Sequence, residues 1–163
     1  MTIDTTTLVK PISAMTPAEI NAFVKDIVKV FWLNSNKTSM PDTFHMPTTD
    51  FLGLPTFVAE NQPLISKAIF LEQSFQSATR NPSFKVLDSQ YNDERDNTLG
   101  VNRYVLYKNS EDTLEMNIPI DYTSTSFGTV NNFEFSSVSY GQFSGVIAKR
   151  PLEIYYLDHT VTI

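Results

Sequence analysis

The chain contains no cysteine, which removes disulfides, thiolate metal sites and cysteine nucleophiles together. A chain of 163 residues needs no covalent staple, because at that size roughly two-thirds of the unfolded surface is buried on folding. The absence of cysteine therefore assigns no compartment. Histidine is nearly absent too, with only His45 and His159. No apolar run approaches the ~18 residues of a membrane span. The first fifteen residues, MTIDTTTLVKPISAM, have neither a basic start nor an apolar centre. They do not read as a secretory signal, and cytoplasmic synthesis without a signal peptide is the expectation.

Charge is also scarce. Charged residues make up 18% of the chain, against an ordinary ~25%. Net charge is −6, and the densest basic run is the pair Lys149-Arg150. Nucleic-acid binders draw most of their affinity from clustered Lys and Arg, so neither direct nucleic-acid binding nor docking on an anionic membrane is expected. Thr, Ser and Asn carry the polar surface instead. Such a surface is poorly defended by charge repulsion, which suits a protein packed against neighbours.

Apolar residues reach 41% and aromatics 12%, enough for a packed core. Residues 1–15 read as an extended N-terminal arm, and 16–163 as a single α+β domain. A helix begins at TPAEI: Thr16 caps, Pro17 suits the first turn and Glu19 completes a capping box. Ile20, Phe23, Val24, Ile27, Val30 and Phe31 follow at helical spacing, and Asn34-Ser35-Asn36 ends the run. A second helix is predicted from Asn61 and Pro63, with Leu64, Ala68, Leu71, Phe75 and Ala78 as its stripe. Arg80-Asn81-Pro82 stops it.

Between the two helices, residues 37–60 carry Pro41, Pro47, Pro55 and Gly53, which break every candidate element. Yet Phe44, Met46, Phe51, Leu52, Leu54, Phe57 and Val58 are too apolar for a free loop. Long loops in compact domains usually have contacts to make. The expectation is an apolar Pro-rich loop, lying on its own core or docking on another subunit.

From residue 84 the apolar period becomes two. Strands are predicted over 84–91, 101–108, 113–122, 131–140 and the C-terminal run. In TLEMNIPIDY, Leu114, Met116, Ile118, Ile120 and Tyr122 share one face, and Pro119 marks an edge or bulge. The predicted fold is α+β, two N-terminal helices packed on an antiparallel meander sheet of about five strands. Parallel βαβ units are not expected. In the last run, Leu152, Ile154 and Tyr156 point one way and Leu157, Val161 and Ile163 the other. This predicts a bulge or a change of packing at Tyr156-Leu157, with the strand end meeting another chain or the arm.

The chemistry-bearing residues converge on nothing recognisable. Asp158 and His159 are neighbours in a strand and so face opposite sides. No G-x-S-x-G elbow accompanies either histidine. His45, with Asp42 and Asp50 nearby, reads as a surface or interface histidine. Asp93, Glu94 and Asp96 surround Arg95 without calcium-loop spacing, and read as a solvated turn. Gly141 and Gly145 precede no helix, so no phosphate cradle is indicated. The Asn36-Lys37-Thr38 sequon means little without export. Strand aromatics such as Tyr104, Tyr107, Phe133, Phe135, Tyr155 and Tyr156 read as core.

No catalytic residue, cofactor or metal site is therefore assigned. The expected function is a non-enzymatic structural subunit of a symmetrical oligomeric particle, a bacteriophage or viral virion component of capsid, neck or tail. Its expected partners are further copies of itself and neighbouring structural proteins. Phe44, Met46, Phe51, Leu52, Leu54, Phe57, Leu157, Val161 and Ile163 are the candidate interface. The alternatives are a ligand-binding or enzyme domain with a pocket between a curved sheet and its helices, and a monomeric adaptor.

Overall fold

The computed structural model describes residues 4–54, 65–125, 128–131, 134–142 and 144–160. One compact unit spans Met1–Ser110 and Arg150–Ile163, and a second spans Glu111–Lys149.

Helix α1, Pro17–Asn34, begins on the capping box that the sequence predicts. Glu19 Oε2 accepts the Thr16 backbone N–H at 2.7 Å, and the Thr16 hydroxyl accepts the Glu19 N–H at 3.4 Å. Ile20, Val24, Ile27, Val28 and Phe31 fall on one helical face and are buried. Helix α3, Lys67–Thr79, starts later than expected, on a Ser66 hydroxyl that accepts the Ile69 N–H. The caps proposed at Asn61 and Pro63 lie outside the described residues. Arg80 ends α3 in a left-handed conformation.

The apolar region read as a loop contains a strand and a short helix: β2, Thr43–Pro47, and α2, Thr48–Phe51. Strand β1 is Asp4–Thr7, β3 Lys85–Ser89, β4 Asn102–Tyr107 and β11 Ile154–His159. They form one sheet in the order β1-β11-β4-β2-β3. β2 pairs parallel with β3, and β1 with β11, while β4 is antiparallel to both of its neighbours. The fold class is α+β as expected, but the sheet is mixed and not a meander. The β2-to-β3 connection carries α2 and α3, so a parallel crossover exists where none was expected. The prolines conceal it: Pro47 is the last residue of β2, a position where a missing N–H breaks no interior ladder bond.

The core lies between this sheet and the two long helices. Phe44 packs on Phe75 with ring centroids 4.9 Å apart and on Tyr104 at 6.2 Å, and Phe75 stacks on Phe84 at 4.6 Å. Phe44, Met46, Leu54 and Leu157, expected at an interface, are fully buried here. Each such side chain contributes about 1.5–3 kcal/mol by leaving water, and none has surface left for a partner.

The N-terminal arm is also part of the fold. β1 extends the sheet beside β11, Ile12 and Met15 enter the core, and the Asp50 carboxylate accepts the N–H groups of Ile12 and Ser13 at 2.9 and 3.0 Å. Gly53 permits this approach, since a Cβ there would lie 2.8 Å from Ser13 Cβ. In β11 the pairing runs without interruption from Ile154↔Tyr107 to His159↔Asn102. No bulge occurs at Tyr156-Leu157. Tyr155, Leu157 and His159 are buried on one face, while Tyr156 and Asp158 lie on the other.

Candidate functional site

The second unit is a two-stranded ribbon. Its strands are β5, Leu114–Glu115; β6, Ile120–Ser124; β7, Gly128–Asn131; β8, Glu134–Ser136; β9, Ser139–Gln142; and β10, Ile147–Ala148. β10 pairs with β5, β9 with β6 and β8 with β7, all antiparallel. Hydrogen bonds bridge the gaps between these pairs. The Lys149 N–H donates to Thr113 O at 2.9 Å, Ser144 to Asn117 at 2.7 Å and Thr125 to Val138 at 2.8 Å. These bonds extend the antiparallel pairing from Thr113/Lys149 to Thr125/Val138. The register slips between Ile120 and Thr123, just after Pro119. Gly141 faces Tyr122 so closely that a Cβ would lie 3.1 Å from Tyr122 Cα.

The ribbon is apolar and exposed. Met116, Ile118, Ile120, Tyr122, Val138, Tyr140, Val146 and Ile147 are half of the large exposed apolar side chains among the described residues, though the unit holds less than a quarter of the chain. Tyr122 stands 80% exposed. A concavity of about 690 Å³ runs along Met116, Ile118, Ile120, Tyr122 and Tyr140. Between Asn109 and Ala148 there is no Lys or Arg, while Glu111, Asp112, Glu115, Asp121 and Glu134 are all acidic. An isolated two-stranded hairpin is marginal in water, and exposed strand edges recruit further chains. The sequence signal was the clean alternation of TLEMNIPIDY; it reads as core because nothing in it shows that the opposing layer is missing.

The other sequence candidates are dispersed. Leu52 is 71% exposed and Phe51 half-buried, whereas Phe57, Val161 and Ile163 lie outside the described residues. His45 sits on β2 with Nε2 3.1 Å from the Tyr107 hydroxyl. Burial holds its pKa below the ordinary value, partly opposed by Asp88. The acids near it in sequence are engaged elsewhere: Asp42 accepts the Asn109 N–H at 2.7 Å, and Asp50 holds the arm. Asp158 does not meet His159. It takes a bidentate pair from Arg103, both contacts at 2.7 Å, and the guanidinium lies over the Tyr156 ring.

Asp93 is buried, which corrects the reading of 92–97 as a solvated turn. Its carboxylate accepts the N–H groups of Thr48 and Thr49 at 3.2 and 3.0 Å. It thereby caps α2, whose own N-cap, Pro47, makes no side-chain cap bond. Among the described residues no cluster of acids and histidines is arranged to hold a metal ion. No helix of the described residues is long and apolar enough to cross a membrane.

An exposed apolar ribbon suits a chain that meets other subunits. The family comparison agrees. The major capsid protein family matches residues 6–160, and the chain belongs to that family. Among solved structures the chain is similar to the capsid of Myoviridae phage XM1, with TM-score 0.72 and 14% identity over 96% of this chain and 51% of that one. It is also similar to a virus-like particle from Pyrococcus furiosus, with TM-score 0.62 and 15% identity over 95% and 56% of the two chains. At these identities the likeness is one of fold. The chain spans about half the length of the solved chains it matches. No curated protein sequence matches it.

Proposed function

We propose that this chain forms the wall of a bacteriophage or viral particle by associating with further copies of itself and with neighbouring structural proteins. The ribbon Glu111–Lys149 is the principal contact. The observation that carries this reading is the exposed run Ile118, Ile120 and Tyr122 on paired strands that no third strand joins among the described residues. Burying those three side chains at a contact contributes about 1.5–3 kcal/mol each, and a neighbouring strand or helix supplies the layer that the hairpin lacks. Leu52 adds a second exposed apolar point, and Phe57, Val161 and Ile163 are further contact candidates. In this reading the subunit works through protein contacts, with no cofactor and no membrane or nucleic acid as direct partner.

The test is the triple change of Ile118, Ile120 and Tyr122 to Ser. Static light scattering should show the parent chain as a multi-subunit species and the variant shifted to a single chain, with the main thermal transition unmoved. An unchanged mass would remove the ribbon from the interface.

A further inference from the structure

The first unit carries a small groove whose chemistry is the reverse of the ribbon's. It is lined by Lys25, Val28, Lys29, Trp32, Met40 and Ala78, with a volume of about 240 Å³. Val28 is buried and forms the floor, while Lys25 and Lys29, one helical turn apart on α1, are exposed at the rim. The Lys37 ammonium lies 5.5 Å from the Trp32 ring centroid. No carboxylate lines the groove. It is smaller than the roughly 300–1,000 Å³ typical of small-ligand pockets, and has the scale of a seat for one large side chain.

In a chain of net charge −6, a lysine-rimmed apolar seat selects an acidic partner with an apolar anchor. The ribbon has that composition: Tyr122 stands out of it beside Asp121, in a stretch without a single Lys or Arg. Tyrosine is a favoured interface anchor, because its ring fills a pocket while its hydroxyl stays solvated. Opposite charge at the rim sets orientation and excludes wrong partners.

We infer that the α1 groove of one subunit receives the ribbon of a second copy, with Tyr122 seated over Val28 and Trp32 and the acidic ribbon, Asp121 included, lying along the rim of Lys25 and Lys29. This rests on the reading of the ribbon as an assembly contact and adds where the ribbon lands.

The cysteine-free background makes the test direct. Two single variants, Met40→Cys and Thr123→Cys, are mixed, allowed to associate and oxidised. A disulfide-linked dimer containing one chain of each kind is expected. Its yield should exceed by about tenfold that of Thr123→Cys mixed with Tyr91→Cys, an exposed position outside the groove, since a docked pair reacts at raised effective concentration. Equal yields, or Thr123→Cys joining mainly to itself, would overturn the assignment. A charge exchange provides the second arm. Lys25→Glu with Lys29→Glu should weaken association about tenfold, as should Asp121→Lys, and combining the changes should recover most of the loss. If the Ser triple variant dissociates while the exchange shows no recovery, the groove is not the landing site and the ribbon reading stands. Lysine reversals that leave association intact but abolish retention of nucleic acid would assign the groove to nucleic acid instead.

Discussion

The Tyr104 hydroxyl donates to Asp50 Oδ2 at 2.7 Å, within a site that also receives the backbone N–H groups of Ile12 and Ser13. One buried carboxylate thus ties the central strand β4, the short helix α2 and the N-terminal arm. Burial first, and then the Asp50 charge, push the Tyr104 phenol far above its ordinary range, so it stays a donor at any working pH.

Removing that carboxylate leaves two amides and a hydroxyl unsatisfied. Asp50→Ala should cost about 3–4 kcal/mol in urea unfolding, and Tyr104→Phe, which leaves both amides held, about 1–2 kcal/mol. Equal and negligible costs would mean that the arm is anchored by apolar packing alone.

Two leucines on either side of Gly53 separate core from surface. Leu54 is fully buried and Leu52 is 71% exposed. Leu54→Ala should destabilise by about 3 kcal/mol, and Leu52→Ser should fall within roughly 0.5 kcal/mol of the parent. Thermal or urea unfolding of the two variants reads this difference. If they melted alike, the segment 52–54 would not be packed as described.

This region also shows what the sequence did and did not make legible. The start of α1 could be read from TPAE alone, because a capping box is a local device fixed by four residues. β4 could be read from its alternation, which matches its burial along Asn102–Tyr107. β2 could not: its two apolar side chains, Phe44 and Met46, lie between prolines at 41 and 47. Its parallel partner β3 lies some forty residues away, a pairing that no local pattern announces. The faces of β11 were read in the right register, but the bulge or change of packing expected at Tyr156-Leu157 is absent. His159 faces inward, and Tyr156 outward beneath Arg103, so polarity did not mark the buried side. The ribbon was found as strands and its exposure was missed, since period-two alternation says which residues share a face and not what covers it.

The cap of α1 predicts a pH dependence. Hydrogen bonds from Lys10 and then Thr16 lower the Glu19 pKa to about 2 from an unfolded value of 4.5. A carboxylate lowered in the folded state contributes stability that is fully present above the unfolded value and is lost as pH falls through the folded one. The stability difference between the parent and Glu19→Gln should therefore be constant above about pH 5 and shrink between 4.5 and 2. Chemical unfolding across that range measures it. A difference that grows on acidification would contradict the assignment.

The central claim is that the ribbon completes its structure against a neighbouring subunit, and amide hydrogen exchange tests it most directly. The probes are the ribbon amides that pair across the hairpin, Thr125, Ser144 and Lys149, compared between the associated protein and the dissociated Ser triple variant. A hairpin without a covering layer opens at little cost, whereas one held between subunits exchanges only when the contact breaks. The account predicts protection of these amides about a hundredfold higher or more in the associated state, with the amides of β4 unchanged. Equal protection in the two states would contradict it, because the ribbon would then be stable without a partner.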